Sequence, residues 1–286
     1  DINTQDLKSV TFLKDGRLAY STNGGSATEA WAIDLRTMER EKIVPNGTGT
    51  VLLKITTNPT NGKLYLAYKG EDKISVWDPN TKQVSDLLTR NGLDNLMDVK
   101  FDQYNNMYAV CRNSGTIQKY PSGNYNSSSR LEFVKITGRQ IQAIAFDAAG
   151  NLIAAATDGS NAGYIYKVDS SGAYTLIAGG GNKVITEDIT EDPKTAKLEK
   201  AEGLMVDKDG YIWFSDGNSG TRKTKILKPG KNGYQDATII LVCKAENGWK
   251  DSGTTSPVDF VQDTDGTIYI ADGPNKAIHK VTIGYK

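Results

Sequence analysis

The sequence predicts an all-β protein assembled from six copies of one hairpin-rich module. Three observations carry this reading. Gly is very abundant at 29 residues and Tyr at 14, while stretches rich in Ala, Leu and Glu are scarce, a balance that favours strands and turns. A short pattern of apolar strand, Asp/Asn-Gly turn and aromatic strand recurs six times along the chain. The turns are about 44 to 60 residues apart, the scale of one four-stranded propeller blade.

The six units are VTFLKDGRLAYS (10–21), ITTNPTNGKLYLAY (55–68), VKFDQYNNMYAV (99–110), IAFDAAGNLIAA (144–155), LMVDKDGYIWFS (204–215) and FVQDTDGTIYIA (260–271). Gly16, Gly62, Gly150, Gly210 and Gly266 mark the turns, and Asn106 is expected to replace glycine in the third. A polar loop follows each second strand. Third strands are then expected at 30–35, 73–78, 116–120, 163–168, 224–228 and 277–281, where apolar and polar residues alternate. Fourth strands include YTLIAG (174–179) and ATIILVC (237–243).

The runs Asp207-Lys208-Asp209-Gly210 and Asp263-Thr264-Asp265-Gly266 have the start of a calcium loop. Such a loop needs acidic ligands at alternating positions, the fifth among them, and a Glu at its twelfth. Those places hold Tyr211 and Asn218 in the first run, and Thr267 and Pro274 in the second. Both runs therefore read as hairpin turns, whose residue types tolerate positive φ.

AEGLMVDKDGYIWFSDGNSGTRKTKI and VDFVQDTDGTIYIADGPNKAIHKV resemble the NHL repeat, and AGGG (178–181) followed by PKTAKLEKAEGL (193–204) resembles its link into the next strand. The resemblance spans nearly the whole chain and implies a six-bladed β-propeller. It gives a single domain over 1–286, with blades at about 7–50, 51–94, 95–138, 139–181, 201–245 and 257–283. The sixth unit has three strands, so residues 1–6 are expected to complete it beside 277–283 and leave no open edge. The family includes bacterial cell-surface proteins in which a TIG module precedes the propeller. An extracytoplasmic location, in the periplasm or at the cell surface, is the corresponding expectation. The opening DINTQDLK has no Met, which fits a trimmed chain whose lost segment carried a module or lipid anchor.

Charge and rare residues narrow the functions. Lys plus Arg and Asp plus Glu are 34 each, so bulk charge makes no case for nucleic acid. No run of about 18 apolar residues spans a bilayer. Cys111 and Cys243 are expected as free core thiols on separate blades. His279, the single histidine, alternates with Ile278 and Lys280 in a third strand and reads as a packing residue. One histidine gives no support to lyase chemistry that uses several.

In such a ring the fourth-to-first links and the second-to-third loops share one face. Loops 21–29, 68–73, 111–115, 156–162, 215–223 and 271–276 therefore frame the candidate site. Its candidate ligand-binding residues are Trp249, Asn218, Asp216, Asp272, Asn275, Arg112, Asn113 and Asp158. Trp249 lies in a polar link, where an aromatic face beside Asn and Asp suits a sugar ring. Trp77 and Trp213 are expected in the core, and Trp31 in a strand. The link 182–200 opens acidic and ends with Lys194, Lys197 and Lys200 at helical spacing, which suggests a short helix in a solvated excursion rather than a lid.

Asp98, Glu202 and Asp259 lie near the starts of inner strands, with Gln142 in the same region, and a convergent set would hold a hard cation such as Ca²⁺. The turn alignment places Glu202 level with Met97, Gln142 and Val258, and Asp98 and Asp259 one residue later, so alternation would turn them apart. Two functions follow. The first is a non-catalytic binding or scaffolding propeller with no cofactor, taking a small molecule, glycan or protein on the loop face. The second is a hydrolase similar to the six-bladed lactonases, with Ca²⁺ at the channel mouth. AEGLMVDKDGYIWFS resembles their metal-ligand segment, with Glu202 where that family has Asp, but their E-G-P-x-W motif and central Asn ligands have no match.

Overall fold

The computed structural model describes residues 5–24, 28–47, 51–90, 92–186, 188, 192–218, 222–242 and 256–282. It is a six-bladed β-propeller of antiparallel sheets. Blade one contains β1 (Asp6–Phe12), β2 (Leu18–Asn23), β3 (Thr28–Ile33) and β4 (Arg40–Gly47). Blade two contains β5 (Leu52–Thr57), β6 (Leu64–Tyr68), β7 (Lys73–Asp78) and β8 (Gln83–Thr89). Blade three is β9 (Leu96–Phe101), β10 (Met107–Cys111), β11 (Thr116–Tyr120) and β12 (Leu131–Lys135). Blade four is β13 (Gln140–Phe146), β14 (Leu152–Thr157), β15 (Gly163–Val168) and β16 (Tyr174–Gly179). In blade five lie β17 (Leu204–Val206), β18 (Ile212–Asp216), β19 (Lys223–Gly230) and β20 (Gly233–Leu241). Blade six has three strands among the described residues, β21 (Pro257–Gln262), β22 (Ile268–Asp272) and β23 (Ala277–Val281).

The first strand of each blade lies at the axis. These strands touch in the order β1, β5, β9, β13, β17, β21, and β21 returns to β1, which closes the ring. Each sheet is apolar on both faces because it packs between two others. Six buried clusters follow, one at each interface between adjacent blades. Trp77 fills the interface of blades one and two, and Trp213 that of blades five and six. Small residues such as Ala19, Ala67, Ala109 and Ala154 occupy the second strands, where wedge-shaped blades converge. Asp259 and Phe260 bring the last blade against Val10 and its neighbours in the first.

The Asp-Gly runs are the predicted turns. Gly210 has φ of 81°, its N–H donates to the Asp207 carbonyl, and the Asp207 carboxylate accepts from Asp209 N, Tyr211 N and Trp213 Nε1. In blade three the positive φ of 65° belongs to Asn105, not to Asn106. The turn is opened by Asp102, whose carbonyl accepts from Asn105 N, so the left-handed place falls one residue earlier than the glycine alignment suggested.

The N-terminal expectation is met differently for its last two residues. Asp6 begins β1 opposite Asn23, and the Gln5 side-chain Oε1 accepts from Thr22 Oγ1, so both sit against blade one rather than completing blade six. Residues 1–4 lie outside the described residues, as do Trp249 and Cys243. Cys111 is a buried free thiol. His279 is half-buried and paired with Asp272 at 3.1 Å. Trp31 is half-buried in β3, and its Nε1 donates to Glu29. Among the described residues no helix is long and apolar enough to cross a membrane.

The end of the 182–200 link keeps only a single helical turn and is solvated on one side alone, with Lys194, Thr195 and Lys197 exposed and Pro193, Ala196 and Leu198 buried. It makes one 3₁₀ turn at Pro193–Thr195 and then runs extended as a strap between blades four and five. Leu198 O accepts from Gly163 N at 2.8 Å, Lys183 O from Lys197 N at 2.7 Å, and Ala196 O from Gly181 N at 3.1 Å. Ala196 and Leu198 are buried in the core there. Ala196 and Leu198, the Ala-x-Leu pair of the link resemblance, gain more by packing than the lysines gain from a helix. The strap lies so close that a Cβ on Gly163 would come within 1.9 Å of the Glu199 carbonyl oxygen. Gly163→Ala is expected to cost about 1–3 kcal/mol through this clash. Urea unfolding reads the loss, and an unchanged midpoint would mean that the strap yields freely.

Candidate functional site

The six hairpin turns open at Leu13, Asn58, Asp102, Asp147, Asp207 and Asp263. Four residues before them the inner strands present Ser9, Lys54, Asp98, Ala143, Gly203 and Asp259, a single layer around the axis that is buried throughout. One residue earlier stand Lys8, Leu53, Met97, Gln142, Glu202 and Val258, and all six line a cavity of about 950 Å³ at the channel mouth.

Strict alternation would turn one of these layers away from the axis. A β-bulge prevents it. The pairing of each inner strand with its second strand slips at Leu7/Ser9, Leu52/Lys54, Ile141/Ala143 and Pro257/Asp259, and opposite Val110 between Leu96 and Val99 in blade three. Each slip inserts one extra residue, which re-aims the side chains beside it. In blade five β17 starts later, and the Ser215 hydroxyl accepts from both Glu202 N and Gly203 N. Leu53 and Lys54, consecutive in sequence, consequently both line the cavity.

The deeper layer is a polar plug. Lys54 Nζ lies 3.0 Å from Asp259 Oδ1 and donates to Val258 O at 2.8 Å. Asp259 Oδ2 accepts from the Ser9 hydroxyl and from Val10 N. Asp98 accepts from Val99 N at 2.9 Å and Ile144 N at 3.1 Å, with Lys100 Nζ at 3.8 Å. Burial opposes ionisation of Asp259, but Lys54, Lys100 and the Ser9 hydroxyl outweigh it and hold the carboxyl below its usual range. For Asp98 burial wins over Lys100 and Lys54, with Asp259 adding repulsion, and the carboxyl is pushed up. Beyond the plug a second cavity of about 560 Å³ opens on the turn face, with Thr56, Lys100 and Met205 in its wall.

At the mouth, Glu202 is clamped by Lys200 and Arg222. Its burial raises the carboxyl's pKa, yet the two cations overcome that and leave it lowered. Asp72 Oδ1 accepts from Leu96 N at 2.9 Å, and Asp94 Oδ1 from Asn113 Nδ2 at 3.0 Å. Lys69 is half-buried, and burial together with the nearby Arg112 and Lys200 charges lowers its pKa.

Two of the predicted ligand-binding residues, Asn113 and Asn218, line this cavity. Arg112 is half-buried beside Lys69. Asp216 instead pairs with Lys225 and accepts from Glu199 N, and Asp272 accepts from Ser256 N, Asn275 Nδ2 and His279. Asp158 gathers Ser160, Ala162 and the Tyr164 hydroxyl, which hold its pKa at about 2. Trp249 lies outside the described residues. The carboxylates proposed for a metal occupy two layers, and each has its own cation or backbone donors. Among the described residues no group of three His, Cys, Asp or Glu side chains comes together to hold an ion. Lys54, Lys69 and Arg222 were not singled out from the sequence, and Lys200 only as a link residue at helical spacing, although the register that placed the carboxylates also places Lys54.

No family model matches the chain, and no curated protein matches it. The likeness to NHL repeats rests on the motifs quoted above. Solved structures do match. A Bacteroides thetaiotaomicron protein of unknown function superimposes with a TM-score of 0.72 at 14% identity, over 96% of this chain and 69% of that one. A gluconolactonase from Xanthomonas campestris gives 0.66 at 13% identity, over 96% and 85%. A virginiamycin B lyase from Staphylococcus aureus, solved with quinupristin, gives 0.63 at 12%, over 97% and 81%. At these identities the likeness is one of fold.

Proposed function

We propose that the chain is an extracytoplasmic ligand-binding propeller whose channel-mouth cavity takes a small hydroxylated molecule or the end of a glycan. The cavity itself carries the reading. Its volume of about 950 Å³ suits a small ligand, its wall draws polar groups from several blades, and the plug beneath makes it a blind site. The extracytoplasmic setting follows from the resemblance of the repeats to cell-surface propellers.

A second reading is hydrolysis of a lactone at the same mouth. The gluconolactonases among the fold neighbours favour it. The surroundings of Glu202 favour the first reading, since both carboxylate oxygens are engaged by cations. The described carboxylates do not fit a shared Ca²⁺ as they stand, because their oxygens face Lys54, Lys100, Lys200, Arg222 and backbone N–H groups. Calorimetry with plant and host saccharides, run beside a lactone-hydrolysis assay in Ca²⁺, Zn²⁺ or Mn²⁺, separates the two. Saccharide binding without turnover is expected. Turnover that disappears in Glu202→Gln would establish the hydrolase instead.

A further inference from the structure

The cavity's cations are unequally engaged. Lys54 is held by Asp259 and the Val258 carbonyl. Lys200 and Arg222 both serve Glu202. Lys8 has Asp6 at 4.0 Å. Lys69 alone among these lining cations has no acceptor for its ammonium among the described residues, although it is half-buried. Burial and the charges of Arg112 and Lys200 lower its pKa, and Glu202, itself held by Lys200 and Arg222, opposes them only in part. The Arg112 Nε is itself buried with no hydrogen-bond partner. A half-buried ammonium beside other cations is costly until an anion reaches it.

The opposite demand comes from the acceptors. Gln142 is fully buried in the cavity wall, and its Nε2 is fixed by the Gln140 carbonyl and the Thr157 hydroxyl. Since a carbonyl only accepts, that nitrogen cannot be exchanged for the oxygen, and Oε1 is left without a donor. Asp72 and Asp94 line the same cavity, and their Oδ1 atoms accept N–H groups of the protein. These groups ask for hydroxyl donors. With Asp6 and Glu202 also present, the carboxylates would repel a ligand of high negative charge.

We propose that Lys69 anchors a carboxylate, so that the channel-mouth site takes hydroxylated monocarboxylic acids of the uronate class in preference to their neutral counterparts. This rests on the reading of the cavity as a ligand site. The anchor adds one charged hydrogen bond in a partly desolvated place, equivalent to about tenfold to a hundredfold in affinity.

The test is calorimetry of the whole chain with D-galacturonate and with its methyl ester, which keeps the shape and loses the charge. Galacturonate is expected to bind about tenfold or more tightly than the ester. Lys69→Met should bring the ratio close to one, and Lys69→Arg should restore most of it. An unaltered melting temperature shows that each variant is folded. Equal affinity for acid and ester, or a ratio that survives in Lys69→Met, overturns the acid preference and leaves the cavity reading intact. Binding of neither overturns both.

Discussion

Replacing Lys54 by Met is expected to destabilise the propeller by about 3–5 kcal/mol. The side chains of Lys54 and Asp259 are 4% and 2% exposed, so the substitution strands a desolvated carboxylate. The pair joins blade two to blade six over the Ser9 hydroxyl of blade one. That hydroxyl also accepts from Ile55 N, so one polar cluster ties together three blades where the last blade meets the first. In the variant Asp259 keeps Ser9, Val10 N and the more distant Lys100 charge but loses Lys54, the largest influence lowering its pKa, so burial shifts the carboxyl upward. A carboxyl raised in the folded state costs stability as pH rises through that value, so the loss should be greater at pH 7 than at pH 4. Lys54→Met with Asp259→Leu should recover much of the stability, because an apolar pair of similar volume removes the stranded charge. Recovery will be incomplete, since Ser9 and Val10 N lose their acceptor. Urea unfolding measures each variant. A loss under about 1 kcal/mol in the single variant would mean that the pair does not hold the seam.

The ring was legible because its turns are chemically distinctive. Asp207 and Gly210 place β17 and β18, and the same spacing recurs with Asp263 and Gly266. The face that carries the cavity was legible too, since loops 68–73, 111–115, 215–223 and 271–276 all contribute to it through Lys69, Asn113, Asn218 and Gly273. What alternation concealed is the bulge. An extra residue at Lys8, Leu53 or Val258 leaves no compositional mark, yet it brings consecutive layers to the axis. The roles of the acids were also hidden. Asp216 and Asp272 end their second strands and look free in sequence, but Lys225 and the turn after Asp272 claim them. A carboxylate's partner across a closed ring is set by tertiary contact, as Asp259 and Lys54 show from opposite ends of the chain.

Glu202→Ala should be the other large perturbation, costing about 2–4 kcal/mol at neutral pH, somewhat less than the plug because Glu202 keeps partial exposure. Among the described residues its removal leaves Arg222, only 6% exposed at the side chain, with a single long contact of 3.4 Å to the Ser256 hydroxyl. Lys200 loses its partner as well, and Lys69 loses the Glu202 charge that offsets Arg112 and Lys200. Glu202→Gln retains the shape and can still accept a hydrogen bond, so its cost should be smaller. The pH dependence identifies the cause. Glu202 is held below its usual range, so its contribution is complete above an ordinary glutamate pKa of about 4.3 and disappears as pH falls through the lowered folded value. The difference between wild type and Glu202→Ala should therefore shrink on acidification. Added salt should also narrow it at neutral pH by screening the cations. A difference that stayed constant from pH 7 to the acid limit of folding would assign the loss to packing and remove charge compensation as the reason Glu202 stands between Lys200 and Arg222.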